Sequence, residues 1–216
     1  MTELRGGSRG GSLGTRSPVI GLIGPIGCGK STVAGWLADR GAAVVDADLL
    51  TRRLMSPGAP VTEAVIARFG GEYRRPDGAL DRAALGRLVF SDPDRLTELE
   101  AIVHPAVSRL GEDEIRAADR TGPAAIVLEA VKLVEAGNGP WCDEIWLVKC
   151  EPETQLARLT GRGMAESDAR QRIDAQAVSL PLWRSAATRV LRTDGSPEET
   201  EKAVDAALRE TLAGRD

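Results

Sequence analysis

One stretch near the start of the chain decides the fold: Val19-Ile20-Gly21-Leu22-Ile23-Gly24-Pro25-Ile26-Gly27-Cys28-Gly29-Lys30-Ser31-Thr32. An apolar run leads into glycines and then into a segment suited to a helix. From Gly24 to Ser31 it matches G-x-x-x-x-G-K-[ST], the phosphate-binding P-loop. An ordinary glycine-rich turn is the alternative. The complete match, between an apolar strand and a helix, favours the P-loop.

The residue types in this stretch suit a nucleoside triphosphate. Glycines let the backbone curl so that successive N–H groups point at phosphate oxygens. The helix that follows starts at the phosphates and presents its positive end to them. Lys30 supplies a charge for the β- and γ-phosphates, and the Ser31 hydroxyl can bind Mg²⁺. The predicted ATP-binding residues of the loop are Gly24, Pro25, Ile26, Gly27, Cys28, Gly29, Lys30, Ser31 and Thr32.

The composition excludes several other classes of protein. The 216 residues are 42% hydrophobic and 28% charged, which is typical of a globular domain. A net charge of −4 and 3% aromatic residues argue against nucleic-acid binding. No apolar run reaches the roughly 20 residues of a membrane span, and the start lacks the apolar region of a secretory signal. We therefore expect a cytoplasmic protein with small-molecule partners; the oligomeric state stays open.

The three cysteines, Cys28, Cys142 and Cys150, have neither metal-site nor disulfide-framework spacing. Reduced thiols are the simplest interpretation for a cytosolic protein. Cys28 lies inside the P-loop, where a helix N-terminus lowers the pKa of a thiol. Oxidation of Cys28 that blocks ATP is therefore one hypothesis, and a small residue that fills a variable loop position is the simpler one.

Residues 1–17 are rich in Gly, Ser and Arg and are predicted to form a disordered tail ahead of a single domain, 18–216. Within that domain, apolar segments predict the strands of a parallel sheet, of which the first three are expected to be buried and the last is only weakly indicated. The predicted strands are Pro18–Ile23, Ala42–Val45, Pro123–Leu128, Glu144–Cys150 and Thr188–Leu191.

Two carboxylates follow the second predicted strand, Asp46 and Asp48. In open α/β sheets, ligands bind beyond the carboxyl ends of the strands. Both side chains would point to the same side if the strand continued through them. One of them could accept a proton from an acceptor hydroxyl, while the other caps the next helix.

Two helical regions complete the pattern. Residues 51–120 read as helices and are too long for a simple crossover, so we predict an inserted acceptor-binding region. Residues 153–187 carry arginines around Gly161-Arg162-Gly163, which suits a lid that closes on a transferring phosphate. A solvated basic face paired with acidic neighbours is the alternative for those arginines. His104, which is the sole histidine, has no special spacing.

Together these elements predict an α/β protein with the three-layer fold of P-loop NTPases. The parallel sheet has about five strands, and the inserted helical region and the Arg-rich lid are added to it. No Asn-Lys-x-Asp segment that would read guanine is present, which argues against a GTPase. The chain is too compact for an ATPase motor. A small-molecule kinase is the interpretation that remains.

The sequence also resembles the dephospho-CoA kinase family over roughly residues 18–200. The P-loop part of the resemblance is generic, and Asp-Ala-Asp, Asp-Gly-x-Leu-Asp-Arg and His-Pro are more specific. The similar stretches are Gly21–Ala34, Val45–Asp48 with Arg52, Pro57-Gly58, Phe69-Gly70, Asp77–Arg82, Val89-Phe90, Ile102–Pro105, Gln155, Arg158-Leu159, Arg162, Arg172–Gln176 and Gly195-Ser196.

The resemblance implies an enzyme that uses ATP and Mg²⁺ to phosphorylate the ribose 3′-hydroxyl of dephospho-CoA. It implies that Asp48 accepts the hydroxyl proton and that Asp46 supports that site or the metal. Arg52 and His104 are implied near the acceptor. Lys132 lies in a segment that the resemblance places near the acceptor, where it either contacts a phosphate or simply faces solvent. Arg158 is implied as the lid arginine that stabilises the transferred phosphoryl group, with Arg162 as its helper on the ATP side. Lys30 and Ser31 keep their P-loop roles.

Three segments depart from the family pattern. Val131–Glu135 replaces a Pro-Leu-Leu-aromatic-Glu run, Thr193 stands where Asn is expected, and Leu180–Ala187 replaces a charged segment. These departures keep open a kinase for another nucleotide or nucleoside acceptor. A non-catalytic nucleotide-binding subunit is a third hypothesis, disfavoured because Lys30, Ser31, Asp48 and Arg158 are all present.

Overall fold

A computed structural model of the protein describes residues 13–214, apart from the side chain of Phe90. The predicted tail, residues 1–17, lies mainly outside the described residues. Its last two residues are bonded to the folded part. The N–H groups of Arg16 and Ser17 both donate to a carboxylate oxygen of Asp119, at 3.0 and 2.9 Å, and Ser17 is buried.

The chain has the five strands and the long helical insertion that the sequence predicts. The elements in chain order are β1 Val19–Ile23, α1 Lys30–Asp39, β2 Ala43–Asp46, α2 Ala47–Leu54, α3 Pro60–Phe69, α4 Arg82–Ser91, α5 Pro93–Asp119, β3 Ile126–Glu129, β4 Glu144–Lys149, α6 Pro152–Gly161, α7 Glu166–Ala177, α8 Leu180–Ala186, β5 Arg189–Arg192 and α9 Pro197–Ala213.

The strands form one five-stranded sheet in the order β2-β3-β1-β4-β5, within residues 13–214. Strand β1 is central and pairs in parallel with β3 on one side and with β4 on the other. The predicted parallel sheet is therefore confirmed. The connections run to one side of β1 and then to the other, so the carboxyl end of β1 is the switch point where such sheets bind ligands.

The position of β1 explains its unbroken apolar sequence, because all five of its residues are buried. Ile20 and Leu22 belong to the hydrophobic core on one face of the sheet. On the other face, a Cβ at Gly21 would lie 2.5 Å from Leu133 Cδ2 and 2.8 Å from Cys142 Sγ. A strand packed on both faces needs apolar or small residues at every position.

Strand β2 is less buried than the sequence predicts. It is the edge strand of the sheet, and Val44 is 40% exposed. The prediction of a fully buried second strand is therefore wrong. The sequence gives the order of the strands along the chain but not their order in the sheet, so it does not show that β2 is an edge strand with one side open to solvent.

Helices α1 and α9 cover one face of the sheet. Val33 and Leu37 of α1 and Val204 and Leu208 of α9 are buried in the same hydrophobic core. Helix α9 starts with a capping box formed by Ser196 and Glu199, with Pro197 at the first helical position. No helix within the described residues is long and apolar enough to cross a membrane.

Residues 46–114 form a compact unit of their own, and the other described residues, 13–45 and 115–214, form a second unit. The 46–114 unit has its own hydrophobic core, built from α3, α4 and α5. The buried residues of this core are Val61, Val65, Ile66, Phe69, Leu80, Leu85, Val89 and Val103. Helix α5 is continuous through Pro105, which removes one backbone hydrogen bond from its interior.

Candidate active site

The P-loop runs from the end of β1 to the start of α1 and depends on its glycines. Gly24, Gly27 and Gly29 all have positive φ, at 145°, 80° and 85°. A Cβ at Gly24 would lie 2.0 Å from the backbone oxygen of Val148. A side chain at Gly24 is excluded because backbone cannot yield as the end of a flexible side chain can.

Three consecutive carbonyl groups of the loop are held by side chains from outside it. The Ile26 carbonyl accepts from Gln155 Nε2 at 2.7 Å, and the Gly27 carbonyl accepts from Arg158 at 3.4 Å. The Cys28 carbonyl accepts from the Thr193 hydroxyl at 2.8 Å. Gln155 and Arg158 lie on α6, and Thr193 follows β5.

These contacts determine where the loop N–H groups point. In a trans peptide the C=O and the following N–H point in opposite directions. When the carbonyls of Ile26 and Cys28 are held outward, the N–H groups of Gly27 and Gly29 face the inside of the loop. Within residues 13–214 neither of these two N–H groups has an acceptor. Backbone donors seldom stay unpaired, so the loop is prepared for an anion at the start of α1.

Lys30 and Ser31 open helix α1. The Lys30 ammonium donates to the Gly24 carbonyl at 2.8 Å, so its side chain folds back over the loop. Ser31 is exposed at the second helical position. The described residues contain no cluster of three or more His, Cys, Asp or Glu side chains that could hold a metal. One hydroxyl next to a phosphate site still fits Mg²⁺, which keeps most of its water and uses few protein ligands.

The cysteines differ from the prediction. Cys28 and Cys150 form a disulfide with their Cα atoms 5.3 Å apart, so the prediction of reduced thiols is wrong for this pair. Both residues are buried, and the bond ties the P-loop to the residue after β4. Cys142 is a free cysteine, and burial, with a smaller contribution from the charge of Asp143, raises its pKa to about 12. Such a thiol is protonated and unreactive at neutral pH.

A cavity of about 200 Å³ lies beside the P-loop. Its walls come from α1, α6, the segment after β5 and the start of α9. The residues that line it are Gly29, Thr32, Val33, Trp36, Arg158, Arg162, Thr193, Gly195, Pro197 and Thr200. Because one wall is the loop itself, this cavity is the natural place for the base and ribose of a bound nucleotide.

The two predicted ATP-side arginines both line this cavity. Arg158 donates to the Thr193 hydroxyl at 3.1 Å and to the Thr193 carbonyl at 2.5 Å. Its guanidinium is thereby fixed beside the P-loop. Arg162 follows the last turn of α6, is exposed, and has no bonded partner within residues 13–214. The structure thus groups the loop, Arg158 and Arg162 in one place.

Two of the predicted acceptor-side residues lie at the start of helix α2. The Asp46 carboxylate accepts from the N–H groups of Asp48 and Leu49 at 2.8 and 3.0 Å, so it caps α2. Strand β2 ends at Asp46 and Asp48 is helical, so the condition that the strand continues through both residues is not met. The Asp48 side chain is exposed and has no partner among the described residues, which leaves it available as a proton acceptor.

The other predicted acceptor residues are spread over both units. Arg52 lies four residues after Asp48 on α2, so both share one helix face. His104 is half-buried on α5, next to Pro105. Lys132 is exposed in the turn after β3, which belongs to the unit that holds the P-loop.

Two of the segments that depart from the family pattern meet in space. The Trp183 indole N–H donates to the Glu135 carboxylate at 2.9 Å, and Trp183 is only 1% exposed. The segments Val131–Glu135 and Leu180–Ala187 are therefore in contact through this hydrogen bond. The third departure, Thr193, is the residue that bonds both the P-loop and Arg158.

Comparison with known proteins identifies the family. The model of the dephospho-CoA kinase family matches residues 18–199. The chain belongs to the dephospho-CoA kinase family. A dephospho-CoA kinase from Geobacter metallireducens is 45% identical over 197 residues, which cover 90% of this chain and 96% of that protein.

Solved structures support the fold. The crystal structure of TT1252 from Thermus thermophilus has a TM-score of 0.74 and 37% identity, and covers 90% of this chain and 97% of that chain. A dephospho-CoA kinase from Campylobacter jejuni has a TM-score of 0.67 at 20% identity, covers 92% of this chain and 98% of that chain, and supports the fold alone. The predicted P-loop kinase fold is confirmed.

Four residues that contact the P-loop or line the cavity beside it were not predicted from the sequence. Gln155 and Gln176 lie within stretches that resemble the family, but the sequence assigned no role to either. Thr193 was noted only as a departure from the family pattern, and Trp36 was assigned no role. The signal for Trp36 was its spacing, since it falls one turn after Thr32 on the same helix.

Proposed function

We propose that this protein transfers the γ-phosphoryl group of ATP to the 3′-hydroxyl of the ribose of dephospho-CoA, giving coenzyme A and ADP. The observation that carries the proposal is the family match over residues 18–199, a span that holds Lys30, Ser31 and Asp48. Phosphoryl transfer needs positioning, cations around the phosphates and a proton acceptor.

The P-loop side of the proposal rests on the geometry around Gly27 and Gly29. Their inward N–H groups would bind the phosphate oxygens, and Lys30 would exchange its bond to the Gly24 carbonyl for a phosphate oxygen. The base and ribose would occupy the cavity lined by Trp36, Arg158 and Arg162. Arg158, held by Thr193, would carry positive charge beside the phosphates.

On the acceptor side, we assign Asp48 as the residue that accepts the proton of the attacking hydroxyl. The 3′-oxygen attacks the γ-phosphorus as the bond to the ADP oxygen breaks, and the hydroxyl proton passes to the Asp48 carboxylate. Arg52 and His104 would bind the acceptor, as would Lys132. Asp46 would support Asp48 by fixing the first turn of α2, where it caps the N–H of Asp48.

Mg²⁺, when bound with ATP, neutralises phosphate charge, and the Ser31 hydroxyl is the ligand that the P-loop offers it. The substrates in this proposal are small molecules, with no part for nucleic acid or membrane. The cytoplasm is the proposed location, because ATP is the phosphoryl donor.

The test is ADP release coupled to a spectroscopic assay, with the product separated by chromatography. Dephospho-CoA, adenosine and nucleoside monophosphates are compared as acceptors at equal concentration with ATP and Mg²⁺. We expect coenzyme A from dephospho-CoA and little turnover of the others. Turnover of another acceptor with none of dephospho-CoA would contradict the proposal, and ATP binding with no turnover of any acceptor would point to a non-catalytic subunit.

Lys30→Ala provides the loss-of-function variant for this assay, and Lys202→Ala is its matched control. Lys202 is an exposed lysine of α9, outside the cavity. Loss of both ATP binding and turnover in Lys30→Ala but not in Lys202→Ala would tie the activity to the P-loop.

A further inference from the structure

Both backbone groups of Ile26, the third residue of the P-loop, are bound by glutamine side chains. Gln155 Nε2 donates to the Ile26 carbonyl at 2.7 Å. The Ile26 N–H donates to Gln176 Oε1, also at 2.7 Å. Gln155 lies on α6 and is buried, whereas Gln176 lies on α7 and is half-buried.

The two contacts control two successive peptide planes. Gln176 holds the plane between Pro25 and Ile26, and Gln155 holds the plane between Ile26 and Gly27. Each plane is rigid, so the pair together set the direction of the Gly27 N–H at the inside of the loop. Three other side chains bond the backbone of residues 26–28, and all three donate to carbonyl groups: Gln155, Arg158 and Thr193. Of these four side chains, Gln176 is the one that accepts from an N–H and the one that belongs to α7.

Helix α7 has few apolar contacts of its own. Ala169 is its only buried residue among those described, and the remaining side chains are exposed or half-buried. Its start follows Gly163, which has a positive φ of 86°. Segments with little buried apolar surface open locally at low cost. The bond from Ile26 to Gln176 is therefore a substantial part of what holds the end of α7 on the loop.

We propose that Gln176 is a positioning residue for phosphoryl transfer: by accepting the Ile26 N–H, it fastens the lid helix α7 to the P-loop in the closed state. This inference rests on the proposed kinase function. The bond fixes the peptide before Gly27 and brings the face of α7 that carries Gln176 against the loop. Arg172 is on that face, one turn earlier, and is exposed with no bonded partner within residues 13–214.

The consequence for the reaction is a closed site with less water. When the Ile26 N–H has its acceptor on α7, closure orders the loop and the lid together, and the phosphoryl group meets the acceptor instead of solvent. Loss of the bond should act on turnover and on leakage to water more than on ATP binding, because Gln155 still holds the Ile26 carbonyl.

The test replaces Gln176 with methionine, which matches its length and helix propensity but accepts no strong hydrogen bond. Gln171→Met is the matched control. Gln171 is an exposed glutamine of the same helix, about 140° around it from Gln176. The assays are kcat, KM for ATP, ATP hydrolysis without acceptor, thermal unfolding, and hydrogen exchange of the Ile26 amide by NMR.

For Gln176→Met we expect kcat to fall about five- to tenfold, the effect of one lost hydrogen bond. KM for ATP should stay within about twofold, hydrolysis relative to kinase turnover should rise, and the Ile26 amide should exchange faster. Gln171→Met should match the wild type in each assay. Equal kcat in the two variants, or a parallel loss of kcat, hydrolysis and thermal stability, would overturn the inference.

The outcome separates the two proposals. If the wild-type protein forms no coenzyme A, the proposed function fails. If the wild type is active but Gln176→Met behaves like Gln171→Met, only the positioning role fails. Faster exchange at Ile26 with unchanged kcat would likewise overturn that role, since the contact would then exist without affecting turnover.

Discussion

Replacing Thr193 with valine removes one hydroxyl that holds the P-loop from outside while keeping the shape of the side chain. That hydroxyl donates to the Cys28 carbonyl at 2.8 Å and accepts from Arg158 at 3.1 Å. Arg158 would keep its bond to the Thr193 carbonyl, which belongs to the backbone. The change therefore isolates the contact that orients the peptide between Cys28 and Gly29.

The size of the expected effect on KM and on stability follows from the burial of Thr193 and Cys28. Thr193 is 5% exposed and Cys28 is fully buried, so the Cys28 carbonyl would lose its partner where water cannot replace it. A buried group left unpaired costs about 1–3 kcal/mol. If about 1–2 kcal/mol of this appears as weaker phosphate binding at the Gly29 N–H, KM for ATP rises about 5- to 30-fold. The rest appears as a lower free energy of unfolding.

The measurements are KM for ATP and the free energy of unfolding from denaturant titration. Thr211→Val is the matched control, because the Thr211 hydroxyl is also buried and bonds Glu144 at 2.9 Å and the Ala207 carbonyl at 3.0 Å. Both variants should lose similar stability, but only Thr193→Val should raise KM. An unchanged KM in Thr193→Val, with stability reduced as in the control, would refute the reasoning.

Three further outcomes are expected. Asp48→Asn should lower kcat at least about 100-fold with little change in ATP binding. Asp46→Ala should mainly lower the free energy of unfolding, by about 1 kcal/mol, because the cap of α2 is lost. Equal kcat in the two variants would contradict these roles. The Cys28–Cys150 bond spans 122 positions, so its reduction should lower the free energy of unfolding by about 4–5 kcal/mol. Reduction should also raise the number of thiols titrated in the unfolded protein from one to three. Three titrated thiols without reductant would contradict the disulfide. The pKa of Asp194 is lowered, chiefly by the Glu151 N–H and further by Thr154 and Arg192, so its ionised form stabilises the fold above about pH 4 and this stabilisation is lost as the pH falls below that value. Asp194→Asn should show a smaller loss between pH 5 and 3 in acid unfolding, and an identical pH profile would count against the assignment.

Part of this fold depends on signals that are local in the sequence. The P-loop motif, proline at the first position of α6 and α9, and the capping box of Ser196 and Glu199 each involve residues close together in sequence. Their geometry depends on the chain within one or two turns. The apolar runs of β1 and β4 were equally readable, because strands buried on both faces show no alternation.

The contacts that hold the P-loop from outside could not be predicted from local sequence, because they join residues far apart in the chain. Thr193 lies 165 positions from Cys28, and Gln176 lies 150 from Ile26. The disulfide joins residues that meet because β4 pairs beside β1, a neighbour relation that depends on strand order. Spacing rules for cysteines apply to metal sites and small disulfide frameworks, and they are silent about a single long-range pair.

Asp46 and Asp48 show how a boundary decides a role. If the strand continued through both residues, their side chains would point to the same side of the sheet. The sequence pattern is compatible with such a strand. In the structure the strand ends at Asp46, two residues before such a strand would end, and the helix begins at Ala47, so the Asp46 carboxylate accepts from two backbone N–H groups while Asp48 remains exposed. A shift of two residues, within the usual uncertainty of element boundaries, separates a structural carboxylate from a candidate proton acceptor.

The place of Trp36 in the cavity wall gives the protein a built-in optical reporter. Trp146 and Trp183 are buried at 0% and 1% exposure, so their emission should respond little to nucleotide. Trp36 and Trp141 are both half-buried, but of the two only Trp36 lines the cavity. A purine entering beside the indole would change its polarity and quench it through ring contact. Occupancy of the cavity can thus be followed in the unlabelled enzyme, with Trp36→Phe as the silent reference and no chemical tag near the P-loop.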